Sequence, residues 1–178
     1  MTYITILVLI FTVGVTLTIL IDSARNGITP TPTTSKEKSA ILNISKNMAP
    51  QSVADLGAGF GTMAFSLAEQ FPDAKVTAYE SAIIPWIFLL IRRNVIQRRS
   101  NLVIRRKNFM REDLSAYDLF YTYLYPRAMD QLELKLKNHP LTLISNCFTM
   151  PHWKPSLIWP VESKTSYGSI YLYRRNLV

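Results

Sequence analysis

The sequence predicts an α/β fold, in which a doubly wound and mostly parallel sheet carries helices on both faces and is preceded by one transmembrane helix. Short apolar runs typical of buried strands alternate with segments of helical periodicity, which favours a parallel sheet. A glycine-rich turn at residues 57–61 follows the first of these strands, where the chain of such a fold turns into a helix. An uncharged apolar stretch at residues 1–21 precedes both features.

The apolar stretch predicts a single-pass membrane anchor over residues 1–22. About 20 apolar residues in a helix span the roughly 30 Å of a bilayer core. The alternative, a cleaved signal peptide, is less favoured because no basic residue precedes the stretch and no small-residue cleavage site follows it. Arg25, Lys36 and Lys38 follow it, so the positive-inside rule places the rest of the chain on the cytoplasmic or mitochondrial matrix side.

The composition fits one domain with a local excess of positive charge. The chain has 178 residues and a formal net charge of +8. Its single cysteine, Cys147, excludes an internal disulfide. The basic residues cluster at 92–107, and Arg92, Arg93, Arg98 and Arg99 are candidates for binding anionic lipid headgroups. The alternative is an ordinary solvated helix face. No aromatic residues interleave with the arginines, so no nucleic acid partner is expected.

The remaining elements follow in order from their patterns. Residues 23–35 carry two prolines and four threonines after Asn26 and predict an extended linker, and residues 36–178 form the predicted domain. Ser35 is a plausible N-cap for the first helix of that domain. Strands are predicted at 52–56, 75–79, 101–105, 117–122, 141–148 and 169–173, and helices at 35–48, 62–71, 83–97 and 127–137. The segment 150–160, with three prolines, is too broken for a crossover helix.

The turn after the first strand is the strongest indication of a ligand site. Asp55 ends the apolar run and is followed by Gly57, Gly59 and Gly61, which allow a sharp turn and a close approach of ligand to backbone. Glu80, nineteen positions after Gly61, ends the second strand and can accept both hydroxyls of a ribose. This carboxylate supports an adenosine-containing ligand without choosing the cofactor. A glycine turn without a ligand and an ordinary strand-end carboxylate are the alternatives.

Further candidates lie beside the fourth strand. Asp113, with its neighbour Leu114, precedes this strand, and a carboxylate there can accept a hydrogen bond from the exocyclic amine of adenine. Glu112 competes for this role. Tyr123, Tyr125 and Pro126 follow the strand, and their rings can contact a bound amine, although a tyrosine-rich strand end can also be structural.

The segment after the fifth strand forms a rigid aromatic loop. His152, between Pro151 and Trp153, can act as a base or as a hydrogen-bonding wall of a substrate channel. A histidine beside a tryptophan in a loop is more often structural. No cluster of His, Cys and Asp has metal-ligand spacing, so no metal is expected.

These motifs together resemble a known family. The segment 53–61 resembles motif I of the class I S-adenosylmethionine (SAM) methyltransferases, and is less like the dinucleotide G-x-G-x-x-G because position 62 is Thr. With the apolar N-terminus, Glu80, the segment 126–136 and the P-H-W-x-P loop at 151–155, the chain is similar to the small membrane-anchored protein-lysine methyltransferases of mitochondria and their bacterial relatives. Eukaryotic members of that family modify the ATP synthase c-subunit and the adenine nucleotide translocase.

The resemblance implies a Rossmann-like class I methyltransferase sheet, SAM as cofactor, and N-methylation of a lysine in a membrane protein. It implies that Asp55, the glycines, Glu80, Asp113 and Leu114 bind the cofactor. Tyr125 and His152 are then the candidate catalytic residues, and Tyr123, Pro126, Pro151 and Trp153 line the substrate channel. Two alternatives stay open, namely a methyltransferase for a small molecule or lipid and a non-catalytic, membrane-tethered SAM-binding module.

Overall fold

The described part of the chain forms one mixed sheet with helices on both faces. The structure is a computed structural model and describes residues 2–26, 32–162 and 167–176. Within these residues seven strands form one sheet in the order β3-β2-β1-β4-β5-β7-β6, with β1 to β5 parallel and β7 antiparallel to both of its neighbours. The strands are β1 Ser52–Leu56, β2 Lys75–Tyr79, β3 Leu102–Arg105, β4 Leu119–Thr122, β5 Leu141–Asn146, β6 Leu157–Glu162 and β7 Tyr167–Arg175.

Helices cover both faces of this sheet, as the doubly wound prediction requires. The helices are α1 Thr2–Asn26, α2 Ser35–Ser45, α3 Thr62–Gln70, α4 Ile83–Ile91 and α5 Pro126–Leu136. Buried residues of α2, α3 and α4 pack on one face, around Val53 and Ile144. Buried residues of α5 pack on the other, around Phe120 and Leu143. The central strands β1, β2, β4 and β5 are buried on both sides because each face meets a helical layer.

The helix that opens the domain is capped one residue earlier than its sequence predicts. Thr34 is the N-cap of α2, and its side-chain oxygen accepts a hydrogen bond from the backbone N–H of Glu37. The Glu37 carboxylate in turn accepts the backbone N–H of Thr34 at 2.7 Å. This reciprocal capping box satisfies two helix-end donors and explains why Thr34, rather than the predicted Ser35, occupies the cap.

Two other element predictions need correction. The predicted helix 83–97 ends at Ile91 and continues as a π-helical turn over Arg92–Ile96. The segment predicted as a broken loop, 150–160, contains the start of β6, whose residues Leu157–Glu162 pair antiparallel with β7. Pro160 stands in this strand because β6 is the edge of the sheet, where a missing N–H costs no ladder hydrogen bond.

The predicted membrane anchor is wrong. Across the described residues, α1 included, none of the helices combines the length and the apolar character that crossing a membrane requires. The prediction of a single-pass membrane protein with its domain on the cytoplasmic or matrix side is overturned by this finding. In the predicted linker, α1 extends to Asn26, and residues 27–31 lie outside the described residues.

Candidate functional site

The glycine turn lies at the carboxyl edge of the sheet, where β1, β2, β4 and β5 all end. The carbonyl oxygen of Tyr79, the last residue of β2, accepts backbone hydrogen bonds from Gly57 (3.0 Å) and Ala58 (2.8 Å). Gly61 closes the turn by donating to the Ala58 carbonyl at 2.8 Å. This places the glycine loop over the ends of β1 and β2, next to the boundary between β1 and β4 where the strand order reverses and α/β sheets bind ligands.

The glycines serve different purposes, although all adopt positive φ. A Cβ on Gly61 would clash with the Leu89 side chain of α4, so this glycine allows helix packing. A Cβ on Gly57 would lie 3.2 Å from Leu124 Cδ2, a residue that follows β4. A Cβ on Gly59 would meet none of the described atoms within 4 Å. The open side of Gly59 is therefore the place where a ligand can reach the backbone.

Glu80 ties this loop to the second strand. The carboxylate is buried, and its Oε2 accepts the backbone N–H of Gly59 at 2.8 Å. Its Oε1 accepts the N–H of Ala82 at 2.7 Å. Glu80 thus lies next to the open side of the loop, as a ribose-binding carboxylate must.

Asp55 contributes a buried carboxyl group at the same edge. Its side chain is about 1% exposed, and neither carboxyl oxygen has a hydrogen-bond partner among the described residues. Burial, followed by the negative charge of Glu80, raises the pKa of Asp55 to about 8, while the backbone of Ala64 acts in the opposite direction. A buried, unpartnered carboxyl is costly unless a cation or donor meets it, and a ligand's ammonium group would do so.

An aromatic wall follows β4 and β5. The rings of Tyr123 and Phe148 lie 6.3 Å apart between centroids. Tyr125 is the N-cap residue of α5 and Pro126 occupies its first turn, which fixes the direction in which the chain leaves β4. Burial raises the pKa of Tyr123, with smaller contributions from Cys147 and Glu37, so its hydroxyl keeps its proton at neutral pH.

The structure does not bring Asp113 and Leu114 to this edge. Asp113 is exposed and accepts the backbone N–H of Ser115 at 2.9 Å. This hydrogen bonding lowers the pKa of Asp113, with smaller contributions from His139, just after α5, and from Lys135 in the last turn of α5. The end of α5 lies at the amino edge of the sheet, where β5 begins. Leu114 is buried in the core beneath α5.

The aromatic loop also lies away from the wall. His152 donates its backbone N–H to Glu133 of α5 at 3.0 Å, and its ring Nδ1 lies 3.0 Å from the other oxygen of that carboxylate. The imidazole is otherwise about 87% exposed. Trp153 packs edge-on against Tyr173 of β7, and Arg175 lies over its ring at 4.1 Å. Pro151 is exposed between these contacts, so this loop covers α5 and β7.

Other residues near the edge were missed in the sequence. Asn108 follows β3 and caps a short 3₁₀ turn, Phe109–Arg111, by accepting the N–H of Met110. Thr33 reaches the hydroxyl of Tyr121 on β4 at 3.0 Å. Asn146 ends β5 and is buried. The predicted fifth strand extends through Phe148, whereas β5 ends at Asn146. A polar residue at a strand end was the signal that could have identified Asn146.

Known proteins similar to this chain include methyltransferases. The family model described as the ANTKMT methyltransferase domain matches residues 55–157. A protein-lysine N-methyltransferase of Saccharolobus islandicus (strain REY15A) is 27% identical over 147 residues, covering 80% of this chain and 90% of that protein.

Solved structures share the fold at low sequence identity. An RNA methyltransferase from Salinibacter ruber, in complex with S-adenosyl-L-homocysteine, superposes with a TM-score of 0.65 at 18% identity, covering 81% of this chain and 93% of that one. A putative methyltransferase from Escherichia coli superposes with a TM-score of 0.66 at 12% identity, covering 84% and 91%. These likenesses establish the fold.

Proposed function

We propose, from the premise that this chain belongs to the ANTKMT methyltransferase domain family, that it transfers a methyl group to a lysine side chain of a protein. The chain is a SAM-dependent methyltransferase, and the acceptor is the part that we propose. The similarity to a protein-lysine N-methyltransferase over 80% of the chain is the observation that carries the proposal. An amine acceptor also agrees with the aromatic wall beside the glycine loop.

The residues at the carboxyl edge fit the cofactor. The loop backbone at Gly59 is open to a ligand, Glu80 lies beside it to meet the ribose, and the Asp55 carboxyl lacks the partner that an α-ammonium group provides. SAM, when bound, supplies a methyl group activated by its sulfonium. The protein's task is then to align the acceptor with that methyl group and to exclude water.

Tyr123, Tyr125 and Phe148 would form the acceptor side. Leu124 lies against Gly57, so the segment that carries both tyrosines adjoins the glycine loop directly. Flat aromatic rings can enclose the aliphatic stem of a lysine and orient its amine by hydrogen bonding or cation–π contact. We assign Tyr123 and Tyr125 to this wall, with Pro126 fixing the turn behind them.

The amine must reach the methyl group without its proton. A tyrosine hydroxyl is already protonated at neutral pH, and burial raises the pKa of Tyr123 further, so Tyr123 positions the amine and does not remove a proton from it. His152 is held by Glu133 of α5, away from the aromatic wall, which argues against a role as the base. We therefore propose that the ammonium loses its proton to solvent before the amine reaches the methyl group, and that proximity supplies most of the rate. A membrane-protein acceptor, and lipid binding at Arg92, Arg93, Arg98 and Arg99, stay predictions.

Transfer of a labelled methyl group tests the acceptor class. The purified protein is incubated with SAM tritiated in the methyl group and with separate protein, RNA and lipid fractions from one cell extract. We expect label in the protein fraction, and methyl-lysine after its acid hydrolysis. Label in the RNA or lipid fraction, with none in protein, would contradict the proposal.

Two variants locate the reaction on the structure. Tyr123→Ala removes the proposed wall and should reduce lysine methylation at least tenfold while leaving calorimetric binding of S-adenosylhomocysteine unchanged. Glu69→Gln is the matched control, because Glu69 is exposed on α3 and pairs with Arg99 at 3.1 Å, outside the proposed site. Equal losses of lysine methylation in the two variants would contradict the assignment of Tyr123 to the acceptor site.

A further inference from the structure

The carboxyl edge holds two side chains with polar groups, Tyr121 and Asn146, that the assignments above leave unused. Asp55 on β1 pairs in register with Tyr121 on β4, which pairs in turn with Ile144 on β5. Asn146 lies two residues beyond Ile144. Because side chains alternate along a strand, Asp55, Tyr121 and Asn146 lie on the same face of the sheet.

Tyr121 offers a protonated hydroxyl on this face. Its side chain is buried, and its Oη lies 3.0 Å from the Thr33 hydroxyl, which comes from the segment preceding α2. Burial, followed by the negative charge of Asp55 and a smaller contribution from Glu37, raises the pKa of Tyr121, while the hydrogen bond with Thr33 opposes the shift. The hydroxyl therefore keeps its proton. Because one of the Thr33 and Tyr121 hydroxyls donates to the other, the pair has one O–H left to donate to a ligand.

Asn146 offers a second donor that the described residues leave unused. The residue is about 1% exposed, and its Nδ2 has no hydrogen-bond partner in the part of the chain that the structure describes. An unsatisfied amide N–H at a buried position is unusual and costly. A bound acceptor group at this edge would remove that cost.

The two sides of this cluster have complementary chemistry. Asp55 is an acceptor without a partner among the described residues. The donors are the Asn146 amide and the one O–H that the hydrogen-bonded pair of Thr33 and Tyr121 has left. Neighbouring strands lie about 4.8 Å apart, so a group that lies over the carboxyl ends of β1 and β4 is within reach of side chains on β1, β4 and the adjacent β5. An α-amino acid presents an ammonium and a carboxylate on one carbon atom, and so matches the cluster.

We propose that Thr33, Tyr121 and Asn146 form the subsite for the α-carboxylate of the cofactor's methionine portion, with its α-ammonium at Asp55. The proposal rests on SAM as cofactor, and is independent of the lysine acceptor. It assigns the segment before α2 to cofactor binding, since Thr33 would contact both Tyr121 and the carboxylate. Its consequence is that the donors recognise the carboxylate specifically, whereas the glycine loop and Glu80 recognise the adenosine.

Paired ligands test this subsite without measuring methyl transfer. Calorimetry compares S-adenosylhomocysteine with its decarboxylated analogue, which keeps the amine and the adenosine but lacks the carboxylate. Tyr121→Phe and Asn146→Leu should each weaken binding of S-adenosylhomocysteine about tenfold to a hundredfold, as expected for loss of a hydrogen bond to a charged group. Binding of the decarboxylated analogue should change less than twofold.

Tyr117→Phe is the matched control. It also removes one tyrosine hydroxyl, which lies 3.0 Å from the Tyr79 hydroxyl in the core on the opposite face of the sheet. This variant should bind both ligands as the unmodified protein does. Thr33→Val provides a third substitution at the subsite, so the test does not depend on Asn146→Leu folding.

The possible results separate this proposal from the others. Equal weakening of both ligands in Tyr121→Phe and Thr33→Val would mean that these residues only support the fold, and unchanged binding of both would mean that the carboxylate lies elsewhere. Either result overturns the subsite and leaves the lysine proposal standing. Absence of binding by the unmodified protein would instead overturn the cofactor assignment, and this subsite with it.

Discussion

The glycine loop at 57–61 and the aromatic loop at 150–155 differ in where the fold places them. Both are distinctive in the sequence, and both were predicted to contribute to the site. The glycine loop lies at the carboxyl edge, held by Tyr79 and by Glu80. The aromatic loop turns back from β5, and packs against α5 through Glu133 and against β7 through Tyr173.

This difference separates two kinds of sequence signal. The place of glycines in the fold can be predicted when they stand at alternate positions directly after a buried strand, because a strand of a parallel sheet ends at the edge where ligands bind. A proline-rich aromatic loop has no such constraint. Such a loop indicates that the segment is packed against other elements. The direction in which the chain leaves the strand depends on which elements those are.

Gly61→Ala should cause the largest loss of stability. Compared with Gly59→Ala, it would show that one loop serves both helix packing and ligand binding. The new Cβ would clash with Leu89 and would impose a left-handed backbone on alanine, at φ 82°. We expect a loss of about 3 to 5 kcal/mol in the free energy of unfolding, measured by urea denaturation.

Gly59→Ala is the comparison for that experiment. Its Cβ would point into open space, so we expect a loss of only about 1 to 2 kcal/mol in stability from the left-handed backbone at φ 54°. Its binding of S-adenosylhomocysteine should weaken more than tenfold. A stability loss in Gly59→Ala equal to that in Gly61→Ala would show that the two glycines do not differ in role.

Asp55→Asn should produce the next largest effect, visible in the pH dependence of stability without ligand. The pKa of Asp55 is about 8 in the folded state against 3.8 unfolded. The folded state therefore binds more protons between these values, and its stability, complete below about pH 4, falls as the pH rises toward 8. We expect a fall on the order of a few kcal/mol from this group alone.

The asparagine variant removes that titration. Urea denaturation of ligand-free protein between pH 5 and 8.5 should give a clearly flatter profile for Asp55→Asn than for the unmodified protein, with higher stability at pH 8. Its affinity for S-adenosylhomocysteine should fall, since the α-ammonium loses a charged partner. Identical pH profiles for the two proteins would contradict the assignment of a buried, protonated carboxyl group.

Substitutions in the aromatic loop should have the smallest effect on ligand binding. Trp153→Ala removes contacts with Tyr173 and Arg175, so we expect about 1 to 3 kcal/mol of lost stability with S-adenosylhomocysteine affinity changed less than twofold. His152→Ala should lose less than about 1 kcal/mol, because the imidazole is largely exposed. A loss of methyl transfer in His152→Ala, with stability intact, would show that this loop contributes to the active site.

Several parts of the fold were predictable because they depend on local pattern. The strands 52–56 and 75–79 were predicted at their observed bounds, since each is a short apolar run closed by a turn. The edge strand β6 was missed because its apolar residues are exposed and a proline interrupts them, so neither burial nor alternation marks it. The transmembrane prediction was wrong because it relied on the absence of charge in residues 1–21. None of the helices of the described chain has both the length and the apolar character that a membrane span requires.

The sequence by itself determined the positions of Asp55, the glycines and Glu80, because each is fixed by its distance from the end of a strand. Only the tertiary structure decided which distant residues join them. Thr33 and Tyr121 lie 88 positions apart and meet through a hydroxyl contact, while Asp113 and His152 turn toward α5. The physical reason is that a strand constrains only its immediate neighbours, whereas the direction of each loop depends on packing between elements remote in the chain.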